Sequence, residues 1–225
     1  MNRAPRAACV LVDLDGTLAD TAPDMAAAVN RLLVEEGSLP LPFDDLRPFV
    51  SYGAPMLVRR AFGESLEGAP FERLRQRFLE LYEANLCDGT RVFPEFDDVL
   101  DELDARGLPW GVVTNKPGWL TEPLLDALGL RQRARSVISG DSLPQRKPHP
   151  APLLRAADDI GVAAGACVYV GDAQRDIEAG RAAGMATIAA AWGYIPDAES
   201  AHDWAADLVA ESPRQILRFL LGEAG

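Results

Sequence analysis

The sequence predicts an α/β fold, a Rossmann-like three-layer parallel sheet with an inserted α-helical cap. Short apolar runs recur along the chain, amphipathic helical stretches separate most of them, and one long segment shows helical patterns only. Buried parallel strands are short continuous apolar runs, and their crossover helices cover both faces of the sheet. The alternation therefore predicts helix, sheet and helix layers.

The composition is that of an ordinary globular protein. The chain has 225 residues, of which 48% are hydrophobic and 25% are charged, and its net charge is −12. Such a surface disfavours nucleic acid and anionic lipid as partners. The three cysteines are scattered, and no run approaches the ~18 apolar residues of a membrane span. We therefore expect a cytoplasmic monomer or homodimer with no nucleic-acid or membrane partner.

Six runs are predicted as strands and four stretches between them as helices. The strands are expected at 7–12, 109–114, 136–139, 166–171, 186–192 and 206–210. The helices are expected at 95–106, 118–128, 150–160 and 174–183. Ligands of such sheets bind beyond the carboxyl ends of the strands, so the residues after each run are the candidates for chemistry.

The segment 20–88 breaks the alternation of strands and helices. It predicts helices at 23–36, 43–51, 53–63 and 70–86, the first with Thr21 as its N-cap and Pro23 in its first turn. Crossovers in α/β domains are usually far shorter. We therefore expect a helical cap over 20–88 on a core formed by 1–19 and 89–225, with a purely structural subdomain as the alternative.

The first predicted strand ends in two carboxylates, Asp13 and Asp15, followed by Gly16. Two positions apart on an extended segment, they can face the same side, and the glycine permits a sharp turn. One would serve as nucleophile and the other as proton donor and acceptor. An acidic turn without a function is the alternative, and a calcium loop is excluded because Leu18 stands where that loop needs glycine.

Phosphate-binding groups follow the second predicted strand and precede the fourth. Thr114 and Asn115, in the run Thr-Asn-Lys-Pro, supply a hydroxyl, an amide and backbone N–H groups. Lys147, before Pro148, offers an ammonium on a stiff loop. Taken alone, each segment also fits an ordinary turn or an exposed surface lysine.

The fourth predicted strand ends in Gly-Asp-Ala-Gln-Arg-Asp, which places Asp172 and Asp176 on one face of a starting helix. Gathered with Asp13 and Asp15 at one sheet edge, these carboxylates would repel one another unless a cation lies among them. Oxygen ligands without histidine indicate Mg²⁺.

Together these segments resemble the four motifs of the haloacid-dehalogenase-like hydrolase superfamily: DLDGT, Thr114 with Asn115, Lys147 in KPHP, and GDAQRD. The resemblance covers nearly the whole chain, including a helical cap after the first strand. Within the superfamily the chain is most similar to the phosphoglycolate phosphatase group. Segments such as VSYGAPMLVRRAF, WGVVTNKP and the late GYI and DWAAD most resemble its N-acetylmuramic acid 6-phosphate phosphatase branch. Arg146 departs from these relatives, which often have a small residue there.

The resemblance implies a Mg²⁺-dependent phosphomonoester hydrolase that forms an aspartyl-phosphate on Asp13, with Asp15 as acid and base and Lys147 as a further catalytic residue. It implies the metal-site residues Asp13, Asp15 through its backbone carbonyl, Asp172, and Asp176, which orients a water bound to the metal. It implies the phosphate-site residues Thr17, which fixes the loop, Thr114, Asn115 and Lys147.

Three alternatives remain open within this prediction. A dehalogenase of the same fold needs neither Asp15 nor magnesium. A phosphosugar mutase also uses an aspartyl-phosphate and differs only in what its cap holds. A binding module would not need every catalytic carboxylate.

The substrate is expected to be a small phosphorylated acid. Arg59 and Arg60 in the cap are candidates to meet its carboxylate, with plain solvent exposure as the alternative. Trp119, and Trp192 with Tyr194, are candidates to flank it. The segment Ser51-Tyr52-Gly53-Ala54 joins two predicted cap helices and is expected to reach over the active site. Its small residues, with the late GYI and DWAAD segments, favour N-acetylmuramic acid 6-phosphate, a metabolite of cell-wall recycling, with 2-phosphoglycolate second.

Overall fold

Six short strands form one parallel sheet in the computed structural model, which describes residues 7–221. The strands are β1 (Cys9–Val12), β2 (Ala19–Asp20), β3 (Arg91–Val92), β4 (Trp110–Val113), β5 (Val137–Ile138), β6 (Cys167–Gly171), β7 (Ala186–Ala190) and β8 (Leu208–Ala210). The sheet order is β5-β4-β1-β6-β7-β8, and every neighbouring pair in it is parallel. The predicted α/β fold is confirmed.

Helices follow most of the strands. They are α1 (Ala22–Glu35), α2 (Phe43–Leu46), α3 (Gly53–Phe62), α4 (Gly68–Glu83), α5 (Phe96–Ala105), α6 (Gly118–Ala127), α7 (Ala151–Ile160), α8 (Gln174–Ala182) and α9 (Arg214–Leu221). Short 3₁₀ helices cover Arg47–Tyr52, Ala164–Ala166 and Ala201–Trp204. Within residues 7–221, no helix is both long and apolar enough to cross a membrane.

The central strand β1 divides the core into two layers because its side chains alternate between the faces of the sheet. Val10 and Val12 pack into the larger apolar cluster, which also contains residues of α5 and α6. Cys9 and Leu11 point the other way, into the cluster formed with α7. This continuous burial on both faces explains why the run reads as uniformly apolar.

A two-stranded antiparallel ribbon, β2 with β3, lies where the helices α1 to α4 leave the sheet region and return to it. Asp24 in α1 accepts hydrogen bonds from the backbone N–H groups of Gly89 and Thr90 and from the Thr90 hydroxyl, at 2.6 to 2.8 Å. The two connections are thereby tied together. The sequence did not predict this ribbon, whose strands have only two residues each.

Two details of the helical segment differ from the prediction. The stretch predicted as one helix over 43–51 is a short α-helix followed by the 3₁₀ helix Arg47–Tyr52, and Pro48 provides the reason because it lacks the N–H that an α-helix interior needs. Thr21 stands at the N-cap position of α1, but its side chain makes no capping hydrogen bond. The hydroxyl is engaged elsewhere, with Asp15.

The remaining differences from the prediction concern where strands and helices begin and end. Strands and helices begin or end within a few residues of the predicted limits, and α9 was not predicted. A separate cap over 20–88 stays a prediction, and residues 1–6 and 222–225 of the expected core lie outside the described residues.

Candidate active site

The site forms where β1 and its two neighbours end. Because β4 and β6 flank β1 in parallel register, Asp13, Thr114 and Asp172 emerge at the same edge of the sheet. Gly16 has φ +85°, and a Cβ atom there would collide with the Asp172 carboxylate. Glycine therefore allows the loop after β1 to approach β6 closely.

Lys147 joins two buried carboxylates. Its Nζ lies 2.8 Å from Asp13 Oδ1 and 2.8 Å from Asp176 Oδ1, and its side chain is fully buried. It also donates to the Tyr169 hydroxyl at 2.8 Å, and that hydroxyl donates to the carbonyl of Val113. Burial raises the pKa of Asp13, and the Lys147 ammonium opposes that rise.

Asp172 is buried and accepts hydrogen bonds on both carboxylate oxygens. Thr17 Oγ1 donates to Oδ1 at 3.1 Å, while Ser51 Oγ and the Tyr194 N–H donate to Oδ2 at 2.6 and 2.9 Å. Burial, together with the charge of Asp13 and Asp176, nevertheless raises the pKa of Asp172 to about 7. The site therefore carries more negative charge than its neighbouring groups balance.

These carboxylates fit a divalent cation. Asp13, Asp172 and Asp176 each offer one oxygen, the three oxygens lie within 4.8 Å of one another, and all three residues are buried. An oxygen-only donor set suits a hard cation such as Mg²⁺. Asp176 has other partners too, because the backbone N–H of Ala173 donates to its Oδ2 at 3.1 Å.

Asp15 lies outside this cluster and forms an ion pair with a second lysine. Lys116 Nζ lies 2.9 Å from Asp15 Oδ1 and donates to the Tyr82 hydroxyl, also at 2.9 Å. Thr21 Oγ1 donates to the same Asp15 oxygen at 2.7 Å. Burial alone would lower the pKa of Lys116, but Asp15 and Tyr82 raise it above its ordinary value, so the ammonium stays charged.

Thr114 and Asn115, which follow β4, make different hydrogen bonds. Thr114 is 4% exposed, and its Oγ1 accepts a hydrogen bond from the Lys116 N–H at 3.1 Å, which leaves its own proton available. The Asn115 side chain donates to the Lys147 carbonyl at 3.0 Å and accepts from the Lys147 N–H at 3.1 Å. Asn115 thus fixes the loop that carries Lys147.

A cavity of about 620 Å³ opens over Asp13 and Asp15. Its further lining from the core is Thr114, Asn115, Lys116, Pro117, Trp119, Leu120, Arg146 and Arg175. Its lining from α1 to α4 and their connections is Met25, Val50, Ser51, Tyr52, Gly53, Ala54, Pro55, Arg75, Gln76, Leu79 and Tyr82. Both parts of the chain therefore enclose the same space.

Several residues predicted for the site lie elsewhere. Arg59 and Arg60 do not line the cavity; their guanidinium groups lie over the rings of Phe71 and Phe49, at 4.6 and 5.1 Å from the ring centroids. Arg59 is half-buried within the helical segment, and Arg60 is solvent-exposed, as the alternative interpretation expected.

Of the three aromatic residues predicted to flank the substrate, one lines the cavity and two do not. Trp119 lines the cavity and is 43% exposed. Trp192 instead packs edge-on against Phe96, and Tyr194 is buried with its hydroxyl donating to Asp20 at 2.6 Å. Thr17 is fully buried, and its role in fixing the loop stays a prediction.

Two residues that sequence reasoning missed, Lys116 and Arg175, line the cavity. The Thr-Asn-Lys-Pro turn did not predict a role for Lys116, but the rarity of lysine, with two among the 22 Lys and Arg residues, is a signal that marks both lysines. Arg175 had no local signal, whereas Ser51 belongs to the segment Ser51-Tyr52-Gly53-Ala54, which was expected to reach over the site and does line the cavity. Arg175 Nη2 donates to the Ser51 carbonyl at 2.7 Å, which joins α8 to the 3₁₀ helix.

The family model described as haloacid dehalogenase-like hydrolase matches residues 10–190. A protein named phosphoglycolate phosphatase from Xanthomonas campestris is 49% identical over 214 residues, which cover 95% of this chain and 96% of the relative. A protein named N-acetylmuramic acid 6-phosphate phosphatase from Pseudomonas aeruginosa is 38% identical over 215 residues, covering 96% and 95%.

Solved structures give the same comparison at the level of the fold. A crystal structure described as a predicted phosphoglycolate phosphatase from Haemophilus somnus has a TM-score of 0.85 at 30% identity, covering 95% of this chain and 97% of that one. CbbY from Rhodobacter sphaeroides, in complex with phosphate, has a TM-score of 0.77 at 22% identity, covering 95% and 99%.

Proposed function

The chain belongs to the haloacid dehalogenase-like hydrolase family and is a phosphatase, and we propose that Asp13 and Asp15 carry its chemistry as nucleophile and as acid and base. The observation that carries the proposal is the environment of Asp13. Its Oδ1 is held by Lys147 and by the N–H of Leu14, each at 2.8 Å, which leaves Oδ2 for attack. Asp15 lines the same cavity.

Two displacements account for the reaction. In the first, Asp13 Oδ2 forms a bond to the substrate phosphorus, the bond from phosphorus to the ester oxygen breaks, and Asp15 gives that oxygen its proton. In the second, water attacks the phosphorus and passes a proton to Asp15, and the bond to Oδ2 breaks, which restores Asp13 and releases phosphate. Dividing one difficult step into two lowers the barrier.

The metal site is proposed to consist of the carboxylates of Asp13, Asp172 and Asp176 and the backbone carbonyl of Asp15. A bound Mg²⁺ would neutralise the charge between the nucleophile and the phosphoryl group. The support for the ion is the buried oxygen cluster and the raised pKa of Asp172, which a nearby cation would relieve.

The phosphoryl group is proposed to bind Lys147, the Thr114 hydroxyl and the backbone N–H of Asn115. Donors fixed in place before reaction stabilise developing charge without reorganising. Lys147 meets this condition because Asp13, Asp176 and Asn115 restrain it.

Residues 20–88 are proposed to act as a cap over the reaction. Ser51, Tyr52 and Tyr82 from this segment line the cavity, and Ser51 also contacts Asp172. Enclosure of this kind excludes bulk water from the reacting groups.

For the substrate, we propose N-acetylmuramic acid 6-phosphate. The cavity of about 620 Å³ has room for a sugar acid phosphate, and the aromatic residue Trp119 lines it. Arg146, which lines the cavity in place of the predicted arginine pair, suits a carboxylate, whereas Arg75 also lines it but is paired with Glu72 at 2.8 Å. The relative from Pseudomonas aeruginosa that carries this name supports the choice.

A second candidate substrate is 2-phosphoglycolate, favoured by the name of the 49% identical relative from Xanthomonas campestris. Measurement of kcat/KM on both compounds, with inorganic phosphate release as the readout, tests the order. We expect a higher value for the sugar acid phosphate, and a clear excess for 2-phosphoglycolate would reverse the assignment.

A further inference from the structure

The chain contains two lysines, and both lie at the site. Lys116 and Lys147 are 7% and 3% exposed, whereas the other residues counted among the 22 Lys and Arg are all arginines. Each lysine pairs with one of the two carboxylates that follow β1, Lys147 with Asp13 and Lys116 with Asp15. The proposed function uses Lys147 and leaves Lys116 without a task.

Contacts of both its backbone and its side chain restrain Lys116. Its backbone N–H donates to Thr114 Oγ1, and its carbonyl accepts from Thr121 Oγ1 at 3.2 Å. The ammonium lies 4.6 Å from the centroid of the Tyr82 ring as well as within hydrogen-bond distance of the Tyr82 hydroxyl. Tyr82 belongs to α4, so the contact joins the end of β4 to the helical segment.

The two oxygens of Asp15 are therefore not equivalent. Oδ1 accepts from the Lys116 ammonium and from the Thr21 hydroxyl, at 2.9 and 2.7 Å. An ammonium has no acceptor, so a proton on Oδ1 would face the Lys116 donor directly. Asp15 can exchange a proton with a ligand in the cavity only through Oδ2.

We propose that Lys116 is a positioning residue for proton transfer, which fixes Asp15 through Oδ1 so that Oδ2 faces the departing ester oxygen. The Tyr82 hydroxyl accepts a second hydrogen bond from the Lys116 ammonium, which makes the orientation of Asp15 dependent on α4. This inference rests on the proposed role of Asp15 as acid and base.

Leaving-group selectivity tests the role. An aryl oxide departs with little protonation, whereas an alkoxide needs the proton from Asp15. We compare kcat/KM for an aryl phosphate and for an alkyl phosphate in the whole protein with Mg²⁺, for Lys116→Met, Asp15→Asn and the matched lysine variant Lys147→Met. Lys116→Met and Asp15→Asn should each lower the alkyl value about tenfold or more beyond the aryl value, while Lys147→Met should lower both alike.

The possible outcomes distinguish the positioning role of Lys116 from the proposed acid and base role of Asp15. Equal losses on both substrates for Lys116→Met, with a selective loss for Asp15→Asn, would overturn the positioning role and leave the proposed chemistry standing. An unselective loss for Asp15→Asn would overturn the role of Asp15 itself, and the positioning role with it.

Two further measurements keep the proposal testable if Lys116→Met does not fold. Tyr82→Phe keeps the ring and removes the hydroxyl, and it should shift selectivity in the same direction by a smaller factor. Protein labelled with ¹³C-lysine gives two Cε resonances, because the chain has two lysines. Asp15→Asn should change the chemical shift of one resonance, and Asp13→Asn that of the other. A single resonance that responds to both variants would contradict the pairing. Equal losses on the alkyl and aryl phosphates for Tyr82→Phe would contradict it as well.

Discussion

Ser51 Oγ donates a hydrogen bond of 2.6 Å to Asp172 Oδ2, although the two residues are 121 positions apart in the chain. Ser51 belongs to the 3₁₀ helix between α2 and α3, and Asp172 follows β6 at the carboxylate cluster. The helical segment is therefore linked directly to a residue proposed to hold the metal.

Replacing Ser51 with alanine tests that link. A hydrogen bond to a charged group contributes about 1.5 to 3 kcal/mol, so the partly buried bond should contribute about 1 to 2 kcal/mol to the free energy of unfolding. Urea denaturation in chelator should show this loss, and Mg²⁺ should reduce it because the ion also satisfies the carboxylate. Ser38→Ala, at an exposed serine, is the control and should change little. Equal losses in both buffers would show that the ion does not engage Asp172.

Asp13→Asn should lower kcat by about 10⁴-fold or more, because the amide cannot form the acyl phosphate. The fold should persist, since Lys147 keeps Asp176 as its partner. Phosphate release gives the rate, and mass spectrometry of acid-quenched protein detects the phosphoryl group on the unsubstituted chain only. Asp126→Asn, at an exposed position of α6, is the control. Normal turnover by Asp13→Asn would exclude the covalent route.

Lys147→Met should lower both activity and stability. Removing the ammonium leaves Asp13 and Asp176 buried without their partner, which should cost about 3 to 5 kcal/mol of unfolding free energy. The rate should fall by about 10³-fold, because charge on the transferred group loses its donor. Denaturation and phosphate release measure the two effects. A variant with native stability and a slow reaction would separate the catalytic contribution from the structural one.

Stability should depend on pH through Asp172. Its pKa of about 7 lies above the ordinary 3.8, so between these values the folded state binds more protons than the unfolded state. The stability from this group is complete at low pH and is lost as pH rises towards 7. A cation binds the ionised form, so Mg²⁺ should raise the melting temperature more at pH 8 than at pH 5.5. Asp172→Asn should reduce this difference, and an equal Mg²⁺ shift at both pH values would contradict it.

Arg146→Ala tests recognition of the substrate carboxylate. Loss of this cation should lower kcat/KM for N-acetylmuramic acid 6-phosphate about tenfold or more and should spare N-acetylglucosamine 6-phosphate, which lacks the carboxylate. Arg60→Ala is the control, because Arg60 lies over Phe49 outside the cavity lining. An equal effect of Arg146→Ala on both sugar phosphates would assign Arg146 to the phosphate or to the loop.

Local patterns of the sequence determined the fold and the proposed catalytic positions. Uniformly apolar runs separated by amphipathic helices require a covered parallel sheet, and parallel strands bring their carboxyl ends to one edge. Residues that directly follow a strand, such as Asp13, Thr114 and Asp172, are thereby located without knowledge of any distant contact.

Only the tertiary structure decided which side chains face the site from helices and turns far along the chain. Successive residues of an α-helix differ by about 100° in direction, so a small difference in packing determines that Tyr82 and Arg75 reach the cavity while Arg59 does not. Tertiary packing likewise brings Lys116, a residue of the turn after β4, into contact with Asp15. The sequence specified the chemistry of each strand end, and long-range packing specified the partners, because those contacts join segments whose relative rotation no local pattern encodes.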